Sequence, residues 1–97
     1  MAVNLEIALP LMKARLNILP SNTSLDDYLM SRITAAETEL AKQGVEALGA
    51  YDDDLLFVVD FAVWQYQNRD KPGGMPDWLR LKRRERWLRR GAVQNDP

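Results

Sequence analysis

The chain has no cysteine and no histidine in its 97 residues. Without thiols there is no disulfide framework and no cysteine nucleophile. Without imidazole the usual general base and the Cys/His zinc sites are excluded as well. Long apolar runs are also missing, and none approaches the ~20 residues of a membrane span. The N-terminus lacks the basic start and small-residue cleavage site of a signal peptide, so the expected location is the cytoplasm in which the chain is made. A chain of this length is expected to form one domain that buries roughly 60–65% of its unfolded surface.

Acids and bases nearly balance, with 14 Asp and Glu against 13 Lys and Arg, but they are segregated. Residues 1–60 hold ten acids and four bases, whereas residues 61–97 hold four acids and nine bases. Such polarity suits subunits that meet head-to-tail, or a basic tail that seeks an acidic partner.

What the sequence has is helical periodicity, strongest from Tyr51 to Asp70, a stretch that reads as one helix of about five turns. Leu55, Val59, Ala62 and Tyr66 fall on one line, with Val58 and Val63 beside them, and this is a core face. Phe57, Phe61 and Trp64 follow i, i+4, i+7 on the far side. A helix apolar on two sides must be covered on both, which makes Phe57, Phe61 and Trp64 the expected self-association surface. Asp60, between Leu56 and Trp64 on the wheel, needs an Arg or Lys partner if it is covered. Asp52, Asp53 and Asp54 are expected to cap the free N–H groups and complement the dipole of this helix. Adjacent helical positions do not converge on a metal, and no cofactor is expected.

Upstream, Leu5, Leu9, Met12 and Leu16 share a face, and Pro10 admits two arrangements. It sits in the first turn of a helix starting near Leu9, which is the expectation here, or it kinks a longer helix on its solvent side. Leu19-Pro20-Ser21-Asn22-Thr23 ends that helix. Ser24 and Asp27 then resemble a capping box, Leu25, Leu29, Ile33, Ala36 and Leu40 form one stripe, and Gly44 is a natural left-handed stop. Val45 and Leu48 are expected to plug the end of the core. Downstream, Arg69 to Pro76 contains two glycines flanked by two prolines and is read as a hinge. Pro76 and Asp77 begin a fourth helix stopped by Gly91, and residues 92–97 are expected to fray. This helix carries a narrow Trp78, Leu81 and Leu88 stripe amid seven bases.

The expected fold is therefore all-α, with three core helices over residues 9–17, 24–43 and 52–69 and a hinged basic helix over 77–90. Residues 1–75 form the core domain, and residues 76–97 form the arm and its tail. Trp78, Leu81, Arg83, Arg84, Trp87, Leu88 and Arg90 are the expected docking residues for an acidic protein surface, as in helix-in-groove recognition.

Three segments resemble the small all-helical head–tail connector proteins of tailed bacteriophages and prophages, also called head-completion or adaptor proteins. They are Met12-Lys13-Ala14-Arg15-Leu16-Asn17-Ile18, Leu25-Asp26-Asp27-Tyr28-Leu29 running to Ile33-Thr34-Ala35-Ala36, and Asp54 to Tyr66-Gln67-Asn68-Arg69. The resemblance covers about residues 9–70, and it departs at Pro10 and in the basic segment after Gly74. It implies a virion structural protein without catalysis. Its subunits form a homo-oligomeric ring beneath the portal at the DNA-exit vertex, in the virion neck. The ring joins the head to tail or head-closure components, DNA passes through it without sequence-specific contact, and no membrane is involved. Leu16, Leu29, Ile33, Ala36, Leu55, Val59 and Tyr66 match the family's core positions and Arg69 its closing arginine. The acidic surface met by the arm is then a neighbouring subunit or the portal. A small nucleic-acid-binding protein is the alternative: seven bases between Arg80 and Arg90, interleaved with Trp78 and Trp87, suit phosphates and unstacked bases.

Overall fold

The computed structural model describes residues 3–45, 52–71 and 73–94, with side chains for all of these except residues 52 and 89–94. Four helices follow one another: α1 (Leu5–Arg15), α2 (Asp26–Lys42), α3 (Asp52–Gln67) and α4 (Asp77–Gln94). Among the described residues there is no strand. The fold is the all-α bundle that the periodicity predicts. The central helix α3 touches the other three, α1 and α2 touch each other, and α4 approaches α3 alone.

α1 begins four residues earlier than expected. Asn4 caps it, its side chain accepting a hydrogen bond from the Glu6 N–H at 3.0 Å. Pro10 therefore lies inside the helix. The ring is tolerated there because Pro10 faces solvent while Ala8 and Met12 turn inward and are fully buried, so the longer, solvent-side arrangement is the one adopted. The helix ends on Asn17 at φ 60°, with the Ile18 N–H donating to Lys13 O at 2.9 Å and the Asn17 N–H to Ala14 O at 3.2 Å. This is a Schellman ending with asparagine in the left-handed position.

The same ending closes α2. Gly44 takes φ 88°, Val45 N–H donates to Leu40 O at 2.8 Å and Gly44 N–H to Ala41 O at 3.0 Å, with Val45 and Leu40 both buried. Gly44 is the stop the sequence indicates, and Val45 plugs the core; Leu48 lies outside the described residues. At the other end the expected capping box does not form. The Ser24 hydroxyl donates to Asn22 Oδ1 at 2.8 Å instead, the N-cap position falls on Leu25, and the helix starts at Asp26 without a side-chain cap. Leu25 is consequently half exposed, whereas Leu29, Ile33, Ala36 and Leu40 are all fully buried.

Polar stitches tie these helices together. Lys13 on α1 is buried, and its ammonium donates to Pro20 O at 3.1 Å and Asn22 O at 2.7 Å while pairing with Asp26 Oδ1 at 2.9 Å. One cation thus fixes the α1–α2 connection and stands at the acidic start of α2. Val3 N–H donates to Glu37 Oε2 at 2.8 Å. Asp60 finds the partner its position requires: Arg15 of α1 donates to its carboxylate.

Candidate functional site

The second stripe of α3 is not a free surface. Phe57 and Phe61 are each 1% exposed and belong to the chain's own core, and Trp64 packs against that core with its ring 6.0 Å from that of Phe61. This corrects the expectation that Phe57, Phe61 and Trp64 face outward for self-association. The periodicity signalled that both sides of α3 need cover, and α1, α2 and α4 supply it from within one chain.

α4 docks by a face other than its apolar stripe. At 100° per residue Leu79, Arg83 and Arg86 share one side. Leu79 is fully buried and Arg86 nearly so. Trp78, Leu81 and Leu88, the stripe expected to dock on a partner surface, are 51%, 60% and 51% exposed. The cause is Arg86. Its Nε donates to Asp54 Oδ1 at 3.0 Å, Nη2 donates to Asp53 O at 3.1 Å and pairs with Asp53 Oδ2 at 3.1 Å, and Nη1 donates to Lys82 O at 3.1 Å. Its guanidinium also lies 4.5 Å from the Phe57 ring centroid. A buried arginine needs nearly all its donors satisfied, and this position satisfies them while covering an aromatic face.

The acidic start of α3 is the seat of Arg86. Asp54 is fully buried against Arg86, and Asp53 is exposed but paired with the same guanidinium; the Asp52 side chain lies outside the described residues. Neighbouring helical positions do point in different directions, but Arg86 is long enough to bridge two of them. α4 itself continues through Gly91 to Gln94, so that glycine does not stop it, and residues 95–97 lie outside the described part.

Rotating α4 in this way turns most of the expected docking residues outward. An open cleft of about 810 Å³ is lined by Gln43, Val45, Asp77, Arg80, Leu81, Arg83, Arg84 and Trp87. Arg83 bridges back to the end of α2, its Nη1 donating to Gln43 Oε1 at 3.0 Å, and Arg80 pairs with Asp77. Arg84 is exposed, and Trp87 is 48% exposed. Leu81, Arg83, Arg84 and Trp87 are thus brought together, Trp78 and Leu88 lie outside this lining, and the Arg90 side chain is not among those described.

A second, smaller cleft of about 650 Å³ lies where three chain segments end: Leu16 and Ile18 after α1, Leu25 before α2, and Tyr66, Gln67, Asn68, Arg69 and Lys71 at the end of α3. The Arg69 guanidinium stacks 4.4 Å from the Tyr66 ring centroid and donates to Tyr66 O. Tyr28 meets the same ring edge-on at 6.0 Å. Asn68 Nδ2 donates to Trp64 O at 2.9 Å and closes the last turn of α3. The result is a mainly polar cleft in which Arg69 and Lys71 stand beside Leu16, Ile18 and Leu25.

Sequence reasoning missed Arg86, Leu79 and Lys13. Arg86 sits among other arginines, and only its i+7 spacing from Leu79 separates it from them. Lys13 carries no local signal, because its partners are backbone carbonyls of a later loop. Among the described residues no three His, Cys, Asp or Glu side chains are grouped to hold a metal ion, and no helix is long and apolar enough to cross a membrane. Comparison with protein-family models, curated proteins and solved structures finds no match.

Proposed function

We propose that this chain is a structural subunit of a phage virion, a head–tail connector protein that assembles as a ring beneath the portal and carries tail or head-closure components. The observation that supports this reading is the convergence of the three segments that resemble that family. Leu16 and Ile18 from the first, Leu25 from the second and Tyr66 with Arg69 from the third line one cleft, with Tyr28 of the second against Tyr66. Segments that share a surface support the resemblance better than segments scattered over the molecule would. The half-exposed Leu25 and Tyr28 and the rim cations Arg69 and Lys71 suit a protein partner with an acidic, partly apolar contact.

The test is reconstitution with the portal of the same genome. Electron microscopy of portal rings incubated with this chain should show an added ring of density. The double variant Tyr28→Ala and Arg69→Ala should remain folded and lose that density. Portal rings left bare by the folded wild-type chain would refute the reading. A second reading, nucleic-acid binding, is favoured by the half-exposed Trp78 and Trp87 on the helix that carries exposed Arg80 and Arg84. It requires binding to single strands or duplex that weakens steeply with salt and disappears with Trp87→Ala and Arg84→Ala.

A further inference from the structure

α4 is held to its own chain by little apolar contact and by two polar attachments, Arg86 on the start of α3 and Arg83 on Gln43 at the end of α2. Among its described side chains only Leu79 and Arg86 are buried, and α3 is the one helix it approaches. The segment between α3 and α4 is unpacked at its glycines: a Cβ added at Gly73 or Gly74 meets nothing within 4 Å, and Gly73 holds φ +133°. Neither glycine is there to let backbones approach closely. They give the segment freedom to take more than one path. Residues 68–76, when extended, span about 30 Å, enough to carry α4 off its own α3 and onto another.

From this we infer that α4 is an exchangeable arm, which leaves its own chain and docks on α3 of a second copy, with Arg86 on the partner copy's acidic pair and Leu79 in the same apolar seat. The occupant is a second copy because the seat is matched to this arm in charge and shape. Asp53 and Asp54 take three of the guanidinium's contacts and Phe57 takes its flat face. Exchange remakes in trans every contact broken in cis, so the balance is set by the linker and by concentration, not by new chemistry. Trp78 and Leu81 lie in the first turns beside the hinge and are exposed in the closed form. A short linker gives the chain's own arm an effective concentration in the millimolar range, so exchange belongs to crowded or assembled protein rather than dilute solution. This inference does not depend on the connector reading, and its test uses only this chain.

Two variants with opposite charge defects test it, Asp54→Arg and Arg86→Asp. Each alone sets like charges together and should release its arm, seen as a severalfold faster tryptic cleavage of residues 76–97 and a lower melting temperature. Mixed one to one, the two restore opposite charge only across copies. The expected result is a heterodimer by native mass spectrometry with the arm again protected from trypsin. A mixture that behaves as two separate monomers with unprotected arms overturns the proposal, provided both variants fold.

A conservative variant decides the matter if Asp54→Arg does not fold. Arg86→Lys keeps the charge and presents an amine that carbodiimide can couple to the carboxylate of Asp53 or Asp54, forming an amide with loss of water. With isotopically labelled and unlabelled copies mixed at millimolar concentration, joined peptides should carry one labelled and one unlabelled half. Joined peptides drawn only from single copies at every concentration would show that the arm never leaves its own chain.

Discussion

The three-helix core and the fourth helix are held by different kinds of force. α1, α2 and α3 close over Ala8, Met12, Leu29, Ile33, Ala36, Leu40, Val58, Val59 and Ala62, all fully buried. α4 is held by one buried leucine, one buried arginine and a hydrogen bond from the more exposed Arg83 to Gln43. Apolar burial is non-directional and spread over many atoms, so losing one side chain weakens the core without changing its design. A buried ion pair is directional and singular. If either partner is lost, the other becomes a buried unpaired charge. The difference makes the core a scaffold and α4 a part whose position one residue decides.

The largest effect is expected where the two regions meet. Phe61→Ala empties a fully covered ring site and should lower the stability of the whole chain by about 3–5 kcal/mol, measured by chemical denaturation. Loss of α4 alone, with the core still folded, would show that Phe61 belongs to the arm's seat and not to the scaffold. Arg86→Ala comes next. It should cost about 2–4 kcal/mol by taking the guanidinium away from the buried Asp54 carboxylate, and the cost should appear as local release of α4. Hydrogen exchange is the measurement: fast exchange confined to residues 77–94 is expected, and uniform acceleration across α1–α3 would erase the distinction between the two regions.

Lys13→Met sharpens the comparison from the core side. It strips two loop carbonyls and Asp26 of their cation and should cost about 1–3 kcal/mol, with the α1–α2 connection the first segment to exchange. The smallest effect on stability is expected on the outer face of α4. Trp87→Ala and Leu88→Ala should each change stability by less than ~0.5 kcal/mol, because both side chains are half exposed. Any partner that docks on this cleft should nonetheless bind Trp87→Ala at least about tenfold more weakly, the scale of a lost aromatic anchor, read by titration calorimetry.

Periodicity made the scaffold legible. Leu29, Ile33, Ala36 and Leu40 recur on a helical spacing and are buried, and Gly44 stops α2 because only a left-handed residue permits that ending. The start of α1 was harder, since Pro10 is compatible with two arrangements and the sequence around it does not say which face meets solvent. The orientation of α4 was not legible at all. A wheel sorts residues by hydropathy and so picks out Trp78, Leu81 and Leu88 but not the buried face of Leu79 and Arg86, which is set by a charge whose partner lies 32 residues upstream. Amphipathic patterning fails where electrostatics outweighs burial, and a helix with a single well-placed leucine is such a place. Of the candidate docking residues, Leu81, Arg83, Arg84 and Trp87 share a cleft on the outer side.

The contacts differ as much in sequence distance as in chemistry, and this has a consequence during synthesis. Lys13 meets carbonyls seven and nine residues away, whereas Arg86 meets Asp54 only across 32. A nascent chain grows at about 5–20 residues per second, so α4 emerges roughly 1–5 s after α3 is complete. Through that interval Phe57 lacks the cover of Arg86, which has yet to be made, while every residue of the α1–α2 connection is already in place. Chains growing side by side on one messenger would then present uncovered seats to one another before their own arms arrive.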